Sequence, residues 1–271
     1  MENLIQVLLL GIIEGITEFL PISSTGHLLI AEQLGLGQRS EVFNIGIQAG
    51  AILAVVFIYW AKLWALLSAP LEEKNRGYLL RLFLAFMVTV AGALIAKHFG
   101  MKLPEELAPI AWALLIGGIA ILVIEWLAAR RAGAVNDSAP DISWRGAAIT
   151  GAAQVLAAIF PGTSRSAASI FAAMLGGPAT RVAATEFAFL LGIPTMFAAT
   201  AKALLDAHQV PGAFAREDWG SFALGFVVSA LVAFVAVKWL LRYIQSHRFT
   251  LFAWYRVALG GGLLAWLALH H

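Results

Sequence analysis

Six stretches of this chain, roughly 43–67, 78–99, 109–129, 183–203, 220–241 and 251–269, stay apolar for about the 20 residues that a helix needs to cross a bilayer. Hydrocarbon offers no hydrogen-bond partner, so such segments are held to helix, where each backbone group is satisfied within its own segment. Of the 271 residues, 61% are hydrophobic and 13% charged, against roughly 25% charged in a soluble domain. The chain therefore reads as an integral membrane protein. Two further apolar stretches, roughly 3–20 and 146–160, stop at Pro21 and Pro161, and each is followed by a short helical run, 25–35 and 165–175. Proline removes a backbone donor and ends the preceding helix. Such a break is tolerable at membrane depth only where protein or a wet cavity surrounds it. The expected fold class is an all-α polytopic membrane protein with six transmembrane helices and two re-entrant broken-helix hairpins.

The hairpins align with one another: adding 140 to Gly11, Glu14, Pro21 and Ser24 gives Gly151, Gln154, Pro161 and Ser164. This divides a single membrane domain, 1–271, into repeat one, about 1–135, and repeat two, about 141–271. Loop charge orients them. The connections near 68–81, 130–145 and 242–248 hold Lys74, Arg76, Arg81, Arg130, Arg131, Arg145, Arg242 and Arg248. The opposite loops hold only Lys102 and Arg216 among basic residues, with Glu105, Glu106, Asp206, Glu217 and Asp218. By the positive-inside rule the first set faces the cytoplasm, so the first hairpin enters from the outer side and the second from the inner. Two like halves of opposite orientation form an inverted-topology repeat, a plan that puts a functional site at the repeat interface near the midplane. The net charge of +2 reflects this loop bias and implies no nucleic-acid partner. The first apolar run lacks a basic lead and a cleavage site, so no removable signal peptide is expected. With no cysteine in the chain, thiolate metal sites and cysteine nucleophiles are excluded.

The polar residues at the breaks are costly at this depth, which makes them functional candidates. Glu14 and Glu18, four apart, share one helix face; two carboxylates so close in low dielectric call for a cation or a shared proton. Ser23, Ser24, Thr25 and Gly26 after the first break, and Gly162, Thr163, Ser164 and Ser166 after the second, can each start a helix with a serine cap. The free amides and dipole of such a start bind phosphate-like anions, so two starts meeting at the midplane make a pyrophosphate cradle. Arg165 suits bidentate phosphate binding, with an ion pair to Glu14, Glu18 or Glu186 as its structural role. His27 is open to base, acid, nucleophile and metal-ligand roles. Glu186 needs a partner such as Arg165 or Arg181. Gln48 and Arg256 are both candidates for lining a polar interior, with a helix-end anchor the favoured reading for Arg256.

Glu14-x-x-x-Glu18, Ser24-Thr-Gly-His27 and Pro161-Gly-x-Ser164-Arg165-Ser166 resemble the motifs of the undecaprenyl-diphosphate phosphatase family, the bacitracin-resistance membrane proteins. The likeness extends to Gln48-Ala-Gly-Ala-Ile-Leu-Ala-Val, the Glu186 stretch and Tyr255-Arg256. Departures fall at Ala49, Ala167, Ser169 and Ala188, where the family usually has leucine, glycine, threonine and serine. The resemblance implies removal of the terminal phosphate of a polyprenyl diphosphate, recycling a carrier lipid for the peptidoglycan cell wall at the bacterial cytoplasmic membrane. It also implies dependence on a divalent cation, Mg²⁺ or Ca²⁺. Carried over, Ser24, His27, Glu18 and Arg165 are the expected catalytic set, Glu14 and Glu18 the metal carboxylates, and Gln48, Ser169 and Glu186 supporting residues. Ser24, His27 and water stay open as nucleophile. The expected site opens outward; the partners are the lipid substrate and the bilayer, with a homodimer left open. A lipid-carrier flippase or transporter on the same inverted repeat is the alternative.

Overall fold

The computed structural model describes residues 2–101, 106–131, 142–210 and 217–270. Lys102, Glu105 and Arg216 of the charge count lie outside these, as does the expected repeat boundary; the side chain of Arg131 is likewise not described. The described elements are helical: α1 (Glu2–Thr17), α2 (Ser24–Ala31), α3 (Glu41–Ile58), α4 (Trp60–Ser68), α5 (Glu73–His98), α6 (Leu107–Arg131), α7 (Trp144–Ile159), α8 (Arg165–Leu175), α9 (Arg181–Gln209), α10 (Trp219–Ser246) and α11 (Thr250–His270). Six of them, α3, α5, α6, α9, α10 and α11, are long and apolar enough to cross a membrane.

One expected span is cut short. The apolar run 43–67 reads as one helix, yet α3 stops at Ile58, and Tyr59 turns the chain (φ −98°, ψ 15°) into the separate α4. Lys62 lies one turn beyond the break, on α4. Its ammonium leaves the line of α3 to pair with Glu186 on α9 and lies 4.3 Å from the centre of the Tyr78 ring. Glu186 thus finds a lysine, where Arg165 or Arg181 was expected. Arg181 is engaged by the buried Glu125, bonding it through Nε at 2.9 Å and through its terminal nitrogen at 2.5 Å, and Glu125 also accepts the Phe249 amide at 3.0 Å.

Glycine sets the closest helix contacts, and these recur. A methyl group on Gly11 would meet the Gly225 carbonyl and Val228, and one on Gly151 would meet the Ala85 carbonyl and Val88. Adding 140 to Gly11, Ala85 and Val88 gives Gly151, Gly225 and Val228. In the same way Gly118 faces the Ala253 carbonyl and Val257, while Gly260 faces the Ala111 carbonyl and Leu115; here the constant offset is 142. Hence α1 lies on α10 as α7 lies on α5, and α6 crosses α11 through paired glycines. Small residues at such crossings let helix backbones approach without a hydrophobic driving force.

Candidate active site

The two broken helices meet tip to tip. After α1 ends at Thr17 the chain turns through 18–23 into α2; after α7 ends at Ile159 it turns through 160–164 into α8. The Ser166 hydroxyl, on the first turn of α8, donates to the Leu20 carbonyl in the first turn segment at 3.0 Å. Both turns force a serine into positive φ, Ser23 at 78° and Ser164 at 69°, the two non-glycine residues with positive φ among those described. Strain of that kind persists where the surroundings over-determine it, commonly at a functional site. Gly162 (φ 88°) eases the second turn against α6, where a side chain would meet the Ile110 carbonyl and Ala113.

Each strained serine caps its helix. Ser23 accepts the Gly26 amide at 3.3 Å, and Ser164 accepts the Ala167 amide at 3.2 Å. Their hydroxyls are thus used within the turns, and it is the amides of Ser24, Thr25, Arg165 and Ser166 that have no intrachain acceptor among the described residues, as the opening turn of a helix leaves them. The caps also correct the alignment. Ser164 is the structural counterpart of Ser23, and Arg165 stands where the first half has Ser24, because the second turn carries one extra residue after the paired prolines.

Between the tips lies the polar cluster. Ser24 Oγ donates to Glu18 Oε2 at 2.5 Å, with both groups buried. The other oxygen of Glu18 faces the Arg165 guanidinium at 3.8 Å, and Arg165 also donates to Gln48 Oε1 at 3.2 Å. Glu14, completely buried, lies beside Glu18, and neither of its oxygens receives a hydrogen bond from a donor among the described residues. Buried carboxylate oxygens without a donor are rare and signal a missing cation or proton. Ser169 and Gln154 border Glu18 and Arg165 in a cavity of about 20 Å³, each with a buried polar atom left unpaired. That is room for one water with polar partners.

His27 points elsewhere. Its Nδ1 lies 2.6 Å from the Ser23 carbonyl and must carry the proton, since a carbonyl only accepts; its Nε2 lies 2.7 Å from the Tyr255 hydroxyl, whose ring stacks on the imidazole. Sequence reasoning noted Tyr255 without giving it a role, and for Arg256 it favoured the helix end over the polar interior where the structure puts it. Arg256 is no helix-end anchor: it is fully buried, and its guanidinium donates to the carbonyls of Pro21 (3.3 Å), Gly162 (3.1 Å), Thr163 (3.2 Å), Ala113 (2.9 Å) and Leu114 (3.4 Å). It joins both turns to α6. Gly117 makes room for it, as a side chain there would stand 2.1 Å from the guanidinium. An apolar stretch with one arginine carries no sign of carbonyl partners from three remote segments.

Comparison with known proteins fits this cluster. Residues 7–262 match the family described as "Bacitracin resistance protein BacA". A protein of Rhizobium etli (strain CIAT 652) named undecaprenyl-diphosphatase is 57% identical over 260 residues, 96% of either chain. One of the same name from Xanthomonas oryzae pv. oryzae (strain PXO99A) is 53% identical over 267 residues, 98% of either chain. The match takes in both turns, both carboxylates and the buried arginine, and on that extent the chain belongs to the BacA family of bacitracin resistance proteins.

Proposed function

We propose that this protein is an undecaprenyl-diphosphate phosphatase: it hydrolyses undecaprenyl diphosphate to undecaprenyl phosphate and inorganic phosphate, returns the carrier lipid to peptidoglycan synthesis, and so confers bacitracin resistance. One observation carries the reading, the Ser24 hydroxyl held on Glu18 between two helix starts with Arg165 on the same carboxylate. A diphosphate at that junction meets unpaired amides from both helices and a guanidinium, donors suited to a phosphoryl group whose charge builds in the transition state. No finding favours the transporter alternative.

In this mechanism Ser24 Oγ attacks the terminal phosphorus while its proton passes to Glu18, within the reach a general base requires. The bond to the bridging oxygen breaks and the lipid leaves as undecaprenyl phosphate. Attack of water on the phosphoserine then releases inorganic phosphate and restores the Ser24 hydroxyl. Arg165, steadied by Gln48, holds the transferred group. His27, engaged by Ser23 and Tyr255, positions the first turn of α2.

The residues fit a divalent cation. Glu14 offers a buried carboxylate with no donor, and Glu18 lies beside it. Among the described residues no group of three or more acidic or histidine side chains forms a full cage, so Glu14 and Glu18 would hold the ion together with phosphate oxygens, as Mg²⁺ is commonly held; Ca²⁺ is the second candidate. When bound it neutralises charge on the diphosphate.

We read the halves, about 1–135 and 141–271, as an inverted-topology repeat. Each contributes one hairpin and three full spans, and an odd number of crossings reverses the second half. The loop charges then open the site to the outer side of the cytoplasmic membrane. The partners in this reading are the prenyl lipid and the bilayer; a homodimer is compatible with it. The test is phosphate release from undecaprenyl diphosphate by the protein purified in detergent, where transport has no meaning. Release that EDTA abolishes and Mg²⁺ or Ca²⁺ restores is the expected result; no release with either ion present would overturn the reading.

A further inference from the structure

Where α1 packs on α10, two buried polar groups at one level lack partners. Glu14 on α1 has both carboxylate oxygens bare, and Ser229 on α10, fully buried, has a hydroxyl with no hydrogen bond among the described residues. The helices are pressed together there: a methyl group on Gly15 would stand 2.7 Å from the Ser229 carbonyl and 2.8 Å from Val232. We infer that Ser229 is a third oxygen donor, with Glu14 and Glu18, in the divalent-cation site of this enzyme, an assignment that rests on the cation reading above.

The helix register brings Ser229 to Glu14. α1 lies on α10 as α7 lies on α5, and the offset of 140 that pairs Gly11 with Gly151 and Val88 with Val228 also pairs Glu14 with Gln154 and Thr89 with Ser229. In the second half these two side chains meet: the Thr89 hydroxyl reaches Gln154 Oε1 at 3.5 Å, and it is shared with the carbonyls of Ala85 at 2.9 Å and Gly151 at 3.1 Å. The neighbouring contact keeps the register while exchanging its residues, Gly15 against Val232 in the first half and Val155 against Gly92 in the second.

The first half puts a carboxylate where the second has a neutral amide, and there the hydroxyl is left free. A serine or threonine inside a helix can return its hydroxyl to a carbonyl one turn back, as Thr17, Thr150 and Thr185 do. Ser229 makes no such bond, and none joins it to Glu14. A buried hydroxyl and a buried carboxylate both left unpaired are costly, and one cation between them satisfies both. Hydroxyl oxygen suits the task, since a serine or threonine holds Mg²⁺ in phosphate-binding loops. Thr89, its hydroxyl already used beside neutral Gln154, has no such vacancy to fill.

Mn²⁺ is the probe, because it takes the oxygen ligands that suit Mg²⁺ and its unbound form is counted by electron paramagnetic resonance. The titration is made on the full chain in detergent, with inorganic phosphate present to supply the remaining oxygens. The unaltered protein should bind Mn²⁺, and Glu14→Gln should abolish binding. Ser229→Ala should weaken it by about tenfold or more, Ser229→Thr should restore it, and Thr89→Val, at the matching place in the second half, should leave it unchanged. Melting temperatures taken without metal separate ligation from packing, and Ser229→Ala should match the unaltered protein there. An unchanged Mn²⁺ affinity in Ser229→Ala, or a lowered one accompanied by an equal fall in metal-free stability, would overturn the Ser229 assignment and leave the cation reading standing. No Mn²⁺ bound by the unaltered protein, or full binding by Glu14→Gln, would take down the cation reading and Ser229 with it, while phosphate release decides the phosphatase reading separately.

Discussion

Ser24 and Glu18 form one short hydrogen bond, and the chemistry proposed for them makes them act as a unit. Ser24→Ala and Glu18→Gln should each lower kcat by about 10³-fold or more, with the double variant scarcely worse than the weaker single, the non-additivity expected of groups that share a step. Rapid-quench phosphate release on matched, folded samples checks this; additive losses would separate the two roles. Arg165→Ala should cost about 10²–10³ in rate, the usual toll for one transition-state donor, while leaving the melting temperature little changed, since the side chain is partly exposed and its ion pair to Glu18 is long. Arg256 should behave oppositely. It is fully buried and its partners are carbonyls, and each carbonyl stripped of its donor in a buried setting costs about 1–3 kcal/mol. Arg256→Ala should therefore lower the melting temperature in detergent as well as activity, and Arg256→Lys should rescue little, because a single ammonium does not span the carbonyls that a planar fork reaches.

Element by element, the sequence was most legible where apolar length and proline decide the outcome. The run 165–175 is the observed α8, and the stops at Pro21 and Pro161 fall where the chain turns. The end of α3 was not legible, since Trp60, Leu63 and Trp64 continue the apolar run of the span before them and the Lys62–Glu186 pair beyond the break joins residues remote in the chain. The pairing of Ser24 with Ser164 followed a constant offset that one extra residue in the second turn shifts, and φ, which sequence does not display, identifies Ser23 as the true counterpart. The roles of Tyr255 and Arg256 were hidden for the same reason, their partners being distant in the chain. Helix capping gives a test at this scale. Ser143 accepts the Gly146 amide at 2.9 Å and donates to the Gly176 carbonyl at 2.8 Å, so it both starts α7 and fastens the end of α8. Ser143→Ala should destabilise the protein by about 1 kcal/mol or more, read as a lower midpoint in a thermal scan, with Ser143→Asp recovering the cap to Gly146 alone.

For the whole molecule, the central question is which way it faces. A chain with no cysteine suits single-cysteine labelling. With the assigned orientation, a membrane-impermeant thiol reagent applied to intact cells should modify Gln209→Cys, at the exposed end of α9, and should spare Gln245→Cys, near the end of α10, until the cells are opened. The reverse pattern would turn the protein over and place its site on the cytoplasmic side. Arg256 has a consequence for assembly as well. It sits on α11, the last of the described helices, yet it fastens turns that are synthesised much earlier. Membrane proteins emerge from the ribosome in order, so the first hairpin waits without its fastening while the helices from α3 to α11 are made. Active-site completion is thereby coupled to the making of α11: a chain stalled before that helix would hold both glutamates, the serines and Arg165, and yet lack the geometry to act on a diphosphate.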